Sequence, residues 1–572
     1  MVFTSPAWAG QLPPIPDDIP LSEFMLSEHH GRLSLDRSSN PFTCGVTGKT
    51  FSSRETVDRV DLISRALGRR LQWDAEAGNG WDRVLAIFSF NSIDTMPVVW
   101  AAHRLGAVVT LANAEYSVPE LVHQLKDSKA TALFTCSPLL PAAIEAAIKA
   151  GIPECRIFLL DVAMPGPRTS FRSASQLVEE GIHLAPIEMQ RWPAGEGARR
   201  TAFLCYSSGT SGLPKGVMIS HYNVIANTLQ IATLEQTYRA NLPSPGSETA
   251  LGLLPQSHAY SLVVICHAGW YRGDQTIVLP RYTFASYMAA IQEFKISSLF
   301  LVPPIIINMV QNTEQCRAYD LKSVRSVFTG AAPLGEETAR KLQELCPGVV
   351  IRQAYGLTET STAVAATHHE DVWLGSSGVL LPGVKARLED PQGREITTYD
   401  TPGEIVVYSP GNTLGYLNNA EATKETFQDG WVRTGDEAVI RLSPSGSEHI
   451  FIVDRIKELI KVKGLQVAPA ELEAHLLTHP LVDDCAVIAI AHPSSGEVPR
   501  AFVVLKAGHD VEQGRAAELI QKHVQDHKAR HKWLKGGVIF IRAIPKSPSG
   551  KILRRQPRDI KKKESRSSRS KM

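Results

Sequence analysis

Residues 205–218, Cys-Tyr-Ser-Ser-Gly-Thr-Ser-Gly-Leu-Pro-Lys-Gly-Val-Met, concentrate the residue types that bind phosphate. Glycines let backbone N–H groups turn toward an anion, hydroxyls add donors, and Lys215 adds a positive charge. A Walker loop needs Gly-x-x-x-x-Gly-Lys-[Ser/Thr], and here Gly216 follows Lys215 in place of a hydroxyl. The segment therefore predicts a polyphosphate-binding loop with a different backbone path, in preference to a flexible Gly/Ser linker.

Further motifs follow this loop in a fixed order. They are Phe328-Thr-Gly-Ala-Ala-Pro333, Gln353-Ala-Tyr-Gly-Leu-Thr-Glu359, Trp431-Val-Arg-Thr-Gly-Asp436, Asp454-Arg-Ile-Lys-Glu-Leu-Ile-Lys-Val-Lys-Gly464 and Pro545-Lys-Ser-Pro-Ser-Gly-Lys-Ile-Leu-Arg554. The series resembles the adenylate-forming superfamily of acyl- and aryl-CoA synthetases, adenylation domains of peptide synthetases and beetle luciferases. The resemblance covers residues from about 40 to 556. It is nearest to coumarate-CoA-ligase-like enzymes, including fungal ones of peroxisomes and secondary metabolism.

The resemblance implies a ligase that works in two steps. A carboxylate attacks the α-phosphate of ATP and expels pyrophosphate; the acyl-adenylate then reacts with coenzyme A and releases AMP. Phosphoryl transfer depends mainly on positioning and charge neutralisation. The implied cofactors are ATP, Mg²⁺ and coenzyme A, and the implied partner is a small carboxylic acid, not nucleic acid.

The same resemblance implies a role for each motif in holding ATP. Thr210, Ser211 and Lys215 hold the leaving phosphates, and Thr358 contacts the α-phosphate. Glu359, with Thr210, positions Mg²⁺, a hard cation that prefers carboxylate oxygen. The full predicted nucleotide- and coenzyme-binding set is Ser207, Ser208, Gly209, Thr210, Ser211, Gly212, Lys215, Gly330, Ala331, Ala332, Gln353, Tyr355, Gly356, Thr358, Asp436, Arg455, Lys463 and Gly464.

In that set, the nucleoside contacts come from three of the motifs. By the resemblance, residues 330–332 flank adenine where bulk would clash, and Tyr355 stacks on the base. Asp436 accepts hydrogen bonds from the ribose hydroxyls, with Arg455 nearby.

Two lysines are implied to serve the two half-reactions. In the family, the counterpart of Lys551 reaches the α-phosphate and the acyl carboxylate during adenylation, as a compact movable charge. The counterpart of Lys461 faces the active site only after the C-terminal domain has rotated about a hinge, which is Lys457 here. Lys461 and Lys463 fall on one face of the predicted strand Leu459–Lys463, and strand lysines are most often solvated.

The acid pocket is predicted to be apolar. His258 matches a family histidine beside this pocket, and a structural histidine is the alternative. Val263 and Phe328 stand where plant coumarate ligases carry polar residues that receive a phenol, which favours an aliphatic or unsubstituted aryl acid over 4-coumarate. The predicted pocket residues are His258, Tyr260, Val263, Val302, Phe328, Ala354, Gly356 and Ala363.

The elements that must position these residues are read from hydrophobic patterns. Short apolar strands alternate with helical patterns, which predicts parallel α/β sheets. The predicted strands are Val84–Phe88, Ala107–Leu111, Ala132–Phe134, Ile157–Leu160, Thr201–Tyr206 and Val538–Ile541, and a helix is predicted from Ser220. Ser52 and Glu55 form a capping box that opens a helix. Residues 163–200, rich in Pro, Gly, Ser and Arg, predict a surface excursion.

Composition sets the broad class. The chain has 572 residues, 43% hydrophobic and 21% charged, with a net charge of +2, which is typical of a soluble protein with more than one domain. Eight dispersed cysteines favour a reducing compartment over a disulfide framework. The expected fold is α/β. A large N-terminal domain has two α/β subdomains and a small β-rich part, and a small mobile α+β domain follows.

The expected boundaries are residues 1–453 for the AMP-binding domain, 454–457 for the hinge, 458–556 for the lid and 557–572 for a disordered basic tail. The tail closes with Ser570-Lys571-Met572, which is similar to the peroxisomal address Ser-Lys-Leu and predicts recognition by the peroxisomal import receptor; cytoplasm is the alternative. Loading of a carrier protein and luciferase-type oxidation stay open as alternative functions, whereas the presence of Lys551 and Glu359 argues against silent acyl-adenylate binding.

Overall fold

The computed structural model describes residues 1–74, 80–167, 169–188, 190–207, 214–242, 248–463, 465–547 and 550–554. Four sheets organise these residues. The first has six strands, parallel except at one edge. In spatial order they are Ile157–Leu159, Ala132–Thr135, Val84–Phe88, Val108–Ala112, Thr201–Ser207 and Lys215–Ser220. The strands predicted in this region are confirmed, with ends shifted by one residue at most of them.

The second sheet has nine strands and a parallel centre. In spatial order they are Val379–Leu380, Thr362–Ala366, Val350–Leu357, Ser326–Thr329, Ser298–Leu301, Thr249–Gly252, Gln275–Val278, Phe42–Cys44 and Thr50–Phe51. Two of the chemistry-bearing motifs lie at its strand ends, because residues 328–333 and 353–359 leave neighbouring strands there.

Two smaller sheets complete the chain. The third, largely antiparallel, contains Phe3–Thr4, Lys385–Glu389, Glu395–Ile396, Gly403–Tyr408, Phe427–Gln428, Trp431–Leu442 and Glu448–Arg455. The fourth contains Ile460–Val462, Leu465–Val467, Val482–His492, Gly496–Leu505 and Val538–Phe540. The predicted fold class is therefore confirmed: two α/β sheets, a β-rich part and a small α+β unit.

Helices cover the sheets. The α-helices are Leu21–Leu26, Ser53–Leu71, Thr95–Arg104, Val118–Asp127, Leu140–Ala150, Ala174–Gly181, Glu196–Arg199, His221–Ala240, Ala268–Arg272, Phe284–Glu293, Pro303–Gln311, Thr313–Cys316, Glu336–Leu345, Ala420–Thr426, Pro469–Leu476 and Gln513–His527. Tyr260–His267 is a π-helix, and the 3₁₀ turns are Ala7–Ala9, Ser137–Leu139, Glu154–Arg156, Thr358–Thr360 and Arg530–Lys532. Within the described ranges, none of these helices combines the length and apolar character needed to cross a bilayer.

Local sequence explains where two long helices begin. The predicted capping box is present, since Ser52 Oγ accepts the N–H of Glu55 while the Glu55 carboxylate accepts the N–H of Ser52. Ser220 and Asn223 cap the helix His221–Ala240 in the same reciprocal way. Each box satisfies backbone donors that the first helical turn leaves without partners.

Two sequence predictions are corrected by this fold. The phosphate-binding segment was expected to join a strand to a helix, but Lys215–Ser220 forms an antiparallel strand against Thr201–Ser207, so the segment connects a hairpin. Residues 163–200 are not simply a surface excursion. They include the helix Ala174–Gly181, whose Gly181 packs so tightly on Leu62 that an added Cβ would lie 2.1 Å from its carbonyl oxygen.

Candidate active site

The hairpin presents the phosphate-binding segment at its end. Ser207 and Lys215 pair directly across the two strands, so they form the neck of the loop. The Lys215 Nζ lies 5.0 Å from the centre of the Tyr416 ring, a cation–π contact that holds the ammonium group at this neck. The predicted loop residues Ser208, Gly209, Thr210, Ser211 and Gly212 lie outside the described residues.

Glu359 is tied to the same neck. Its Oε1 accepts a hydrogen bond of 2.8 Å from the Tyr416 hydroxyl and one of 3.5 Å from Ser207 Oγ. Thr358 and Glu359 open a 3₁₀ turn at the end of the strand Val350–Leu357. The structure thus brings the predicted Mg²⁺ ligand to the phosphate loop. Sequence reasoning missed Tyr416, which belongs to none of the motifs.

A close backbone approach fixes the turn that carries Thr358. The strand bulges between Tyr355 and Gly356, and a Cβ on Gly356 would lie 1.4 Å from the carbonyl oxygen of Thr362. No side chain fits there, so only glycine permits the bulge that re-aims the chain.

Asp436 and Tyr355, both predicted nucleoside contacts, lie in direct contact. The Tyr355 hydroxyl donates to Asp436 Oδ2 at 2.7 Å, and Arg455 Nε lies 3.5 Å from Asp436 Oδ1. Burial raises the pKa of Asp436, while the nearby Arg455 charge opposes that rise. Thr434 Oγ1 accepts the Asp436 N–H at 3.1 Å and orients the residue further.

The predicted adenine-flanking residues form a turn with one strained position. Gly330 is buried, and a Cβ there would lie 3.4 Å from the Ala354 carbonyl oxygen. Ala331 adopts a left-handed φ of 69°, and Ala332 follows it half-buried. Gln353 holds this turn, because its Oε1 accepts the N–H of Leu334 at 3.0 Å. The described contacts make Gln353 a support for the turn.

Apolar side chains gather on the other side of residue 330. Tyr260 donates its hydroxyl to the Phe328 carbonyl oxygen at 2.8 Å, which leaves the ring as an apolar wall. The rings of Phe300 and Phe328 lie 5.8 Å apart. The buried members of this cluster include Tyr260, Phe300, Val302, Phe328, Tyr355 and Ala363, with Ala354 packed against them. The sequence-based list of pocket residues did not include Phe300.

Val263 does not join this cluster. It is fully buried, but it packs in the core that contains Trp100 and Phe203. The reason is helical geometry: residues 260 and 263 lie on a π-helix, whose wider turn changes which side chains share a face.

His258 precedes that π-helix and is fixed as a neutral imidazole. Its Nδ1 accepts the N–H of Tyr260 at 3.2 Å, so the remaining proton is on Nε2. Burial, and then the charge of Lys551, lowers the pKa of His258 to about 4. The histidine is therefore available as a hydrogen-bond donor rather than as a positive charge.

Lys551 reaches this region from the fourth sheet's side. A Cβ on the preceding Gly550 would lie 3.1 Å from both Val302 Cγ2 and Pro304 Cγ, so the loop rests on the apolar cluster. Burial and the Arg455 charge lower the pKa of Lys551 to about 8, while Glu458, Asp436 and Glu359 oppose that shift. The lysine thus shares one electrostatic environment with the predicted nucleotide residues.

The second predicted lysine is placed elsewhere. Lys461 is exposed on the strand Ile460–Val462, with its N–H bonded to Glu497 Oε2 at 2.8 Å. The strand is shorter than predicted, and Lys463 lies in a turn with a φ of 50°, so the prediction that Lys461 and Lys463 share a strand face is wrong. Lys457 is exposed, and Gly464 lies outside the described residues.

An ion-pair group lies beside the predicted hinge, and one hydrogen bond crosses it. Arg554 Nε lies 2.7 Å from Glu458 Oε2, and its guanidinium also pairs with Glu473. Asp454, whose pKa burial raises to about 6, accepts the N–H of Ala470 at 2.9 Å. These contacts fasten both sides of the predicted hinge.

Comparisons with known proteins match the chain in two parts, one on each side of the predicted hinge. Residues 40–417 match the family described as AMP-binding enzyme, and residues 471–551 match the AMP-binding enzyme C-terminal domain. The acyl-CoA ligase easD of Emericella nidulans is 38% identical, covering 97% of this chain and 99% of that relative. The acyl-CoA ligase gloD of Glarea lozoyensis is 39% identical over 97% of this chain and 98% of that relative.

Solved structures share the fold. An anthranilate CoA ligase in complex with anthranoyl-AMP gives a TM-score of 0.80 at 21% identity, covering 96% of this chain and 98% of that chain. ATP-bound MatB from Rhodopseudomonas palustris gives 0.77 at 24% identity, covering 95% of this chain and 99% of that chain.

Proposed function

This chain belongs to the AMP-binding enzyme family, and on that premise we propose that it is an ATP-dependent, AMP-forming acyl-CoA ligase for an apolar carboxylic acid. One observation carries the proposal. Lys551, from the C-terminal part of the chain, lies in the electrostatic field of Arg455, Asp436 and Glu359, and its loop rests on the apolar cluster at Val302.

In the first step, a carboxylate oxygen of the acid forms a bond to the α-phosphorus of ATP, and the bond to pyrophosphate breaks. The α-phosphate gathers negative charge during this exchange, and a positioned ammonium group stabilises it. Lys551 supplies that charge, and Lys215 supplies a second charge toward the leaving pyrophosphate. Asp436, which the Tyr355 hydroxyl orients, accepts hydrogen bonds from the ribose hydroxyls.

Mg²⁺ fits the donor set at Glu359. The Tyr416 and Ser207 hydrogen bonds both go to Oε1 of this carboxylate, which orients a hard oxygen donor toward the phosphate loop. Glu359 and Thr210 would hold the ion, and a bound Mg²⁺ would neutralise phosphate charge. This assignment is part of our proposal.

In the second step, the thiol of coenzyme A loses its proton to solvent, its sulfur forms a bond to the acyl carbon, and AMP leaves as its oxygen–carbon bond to that carbon breaks. Lys461 is exposed on its hairpin, so we infer that the C-terminal domain must turn before Lys461 serves this step.

The preference for an apolar acid is supported by the composition of the cluster beside Gly330. The Tyr260 hydroxyl is already bonded to the Phe328 carbonyl, so it is committed to a partner within the protein. A phenolic substrate would leave a hydroxyl buried among Phe300, Val302 and Ala363, at a cost of about 1–3 kcal/mol.

The decisive experiment is ATP-dependent pyrophosphate release across a panel of acids, with and without coenzyme A. The panel spans short, medium and long aliphatic acids, phenylacetate, cinnamate and 4-coumarate. We expect turnover that requires coenzyme A and an aliphatic or unsubstituted aryl acid as the best substrate.

Two outcomes would contradict parts of the proposal. Equal rates of pyrophosphate release with and without coenzyme A would indicate that a carrier protein or an oxidative step consumes the acyl-adenylate. A clear preference for 4-coumarate would overturn the apolar-pocket argument while leaving the ligase assignment intact.

We also propose peroxisomal import and a role in secondary metabolism. The support for import is the segment Ser570-Lys571-Met572, which lies outside the described residues. A fluorescent protein carrying residues 561–572 at its C-terminus should enter peroxisomes, and removal of Met572 should leave it in the cytoplasm. A cytoplasmic signal from the intact fusion would refute import.

A further inference from the structure

Four histidines lie close together in the C-terminal domain. His475 lies on the helix Pro469–Leu476, and His479 follows it by four positions. His523 and His527 show the same spacing on the helix Gln513–His527. Residues four apart lie on one helical face, and a pair of histidines at this spacing is a recurring way to chelate a metal.

The rings of His475, His523 and His527 are close to one another. His475 and His523 stack with ring centres 4.3 Å apart and planes inclined by 5°. His527 lies 5.1 Å from His523 and 5.3 Å from His475, centre to centre. One ring nitrogen from each of His475, His523 and His527 lies within 4.8 Å of the others.

Hydrogen bonds fix one nitrogen of each ring as a donor. His475 Nε2 and His527 Nδ1 both donate to the His523 carbonyl oxygen, at 3.3 and 2.9 Å. Thr478 donates its hydroxyl to the His475 carbonyl at 2.7 Å, so Thr478 Oγ1 accepts from His523 Nε2 at 3.0 Å. Each neutral ring therefore keeps a lone pair on its other nitrogen. Such outer contacts also orient metal-binding histidines.

We propose that His475, His523 and His527 form a binding site for a divalent transition metal of the Zn²⁺ class, with water as the fourth ligand. Imidazole nitrogen suits Zn²⁺, Ni²⁺ and Cu²⁺, whereas Mg²⁺ prefers oxygen, so this site is distinct in chemistry from the one at Glu359. A tetrahedral ion with bonds of about 2.0–2.1 Å places its ligand nitrogens about 3.4 Å apart. His527 is exposed, which leaves its ring room to close that gap.

The electrostatic surroundings favour the cation. Burial lowers the pKa of His475, His479 and His523. Glu337, on the large-domain helix Glu336–Leu345, acts on His523 with a negative charge. Asp526 places a second negative charge near His523. Lys528 places a positive charge near His475.

The site lies where the two parts of the chain meet. A Cβ on Gly335, just before the Glu337 helix, would lie 3.4 Å from the Cβ of Ala474. Ala474 directly precedes His475, so the histidine helix packs beside the large domain.

The test is metal titration of the full chain, free of any affinity tag and stripped with a chelator. We expect one Zn²⁺ per chain at the site, measured by calorimetry. Co²⁺ should give the intense visible bands of a tetrahedral nitrogen site. The double variant His523→Gln/His527→Gln should bind at this site more than about 100-fold more weakly, beyond the loss caused by an outer contact alone.

His531→Gln is the matched control, because it removes a histidine of the same domain that lies outside the cluster. It should keep both the stoichiometry and the Co²⁺ spectrum. Circular dichroism and pyrophosphate release check that every variant is folded. Equal Zn²⁺ stoichiometry and affinity in the wild type and the folded double variant would overturn the proposal, as would an octahedral Co²⁺ spectrum in the wild type.

Discussion

The two lysine-bearing segments of the C-terminal domain differ sharply in their surroundings. The Lys551 loop is held against Val302 and Pro304, and burial with Arg455 lowers the pKa of its lysine to about 8. Lys461, on the hairpin strand Ile460–Val462, is exposed, and its backbone N–H bonds Glu497 within the same sheet.

On our proposal, the difference assigns this arrangement to the first half-reaction. A lysine that has lost hydration beside Asp436 and Glu359 is prepared to meet phosphate, whereas a hydrated lysine on the outside is not. In the arrangement described, Lys551 lies in that environment and Lys461 is exposed. Four experiments break or sharpen this contrast.

Lys551→Ala should produce the largest effect. Adenylate formation, measured as acid-dependent pyrophosphate release, should fall by about 100- to 1000-fold, the usual loss for one preorganised charge contact. Thioester formation from supplied acyl-AMP should be retained. Lys522→Ala, which alters an exposed lysine of the same domain, is the control. Equal loss of both half-reactions would contradict a division of labour between the lysines.

Lys461→Ala should show the opposite pattern. Thioester formation from acyl-AMP should fall by about 10- to 100-fold, while adenylate formation stays near the wild-type rate, because the side chain is exposed in the adenylating arrangement. Separate rapid-quench assays of the two steps measure both. A slowed first step would show that Lys461 acts on ATP in the present arrangement.

The pH dependence of adenylation should report on Lys551. The pKa of this lysine is lowered to about 8, so Lys551 is protonated well below that pH and loses its positive charge as the pH rises through 8. The kcat/KM for ATP should then fall about tenfold per pH unit above 8, since kcat/KM reports on the free enzyme. In Lys551→Arg the guanidinium stays charged, and the decline should disappear even if the absolute rate is lower.

Gly550→Ala should have the smallest effect and should test the docking of the loop. The glycine has a φ of 81°, and a Cβ would press on Val302 and Pro304 at 3.1 Å. Adenylation should slow by about fivefold, corresponding to about 1 kcal/mol of strain and displacement.

Gly537→Ala is its matched control, with a φ of 86° and nothing within 4 Å of the added Cβ. It carries the same backbone strain without touching the large domain. Equal slowing in both variants would mean that backbone strain, and not the contact with Val302, causes the effect.

The motifs could be recognised from the sequence because the residues of each motif are consecutive. Gln353–Glu359 and Trp431–Asp436 place chemistry, turn residues and flanking strands in one short segment, so composition and order suffice. The fold class followed from alternating apolar runs for the same reason. The second strand of the hairpin, Lys215–Ser220, was not predicted, because a short apolar strand and the start of a helix contain the same residue types.

Other parts of the site depend on residues that are distant in the chain. Tyr416 reaches Glu359 from a position 57 residues away, and Arg554 reaches Glu473 from 81 residues away. The sequence carries no periodic signal for such pairs, because their distance depends on how two sheets are placed against each other. Val263, a predicted pocket residue, packs with Trp100 instead of with Tyr260 for a related reason, since residues 260 and 263 lie on a π-helix.

The sequence alone therefore determined the identities of the charged, hydroxyl and glycine residues and the strands that carry them, since both are local properties of the chain. Tertiary structure decided which of two lysines lies in the electrostatic field of Asp436 and Glu359, and which three histidines of two helices lie together. Those outcomes arise from packing between elements, where a shift of a few ångströms changes both the electrostatic field and the contact.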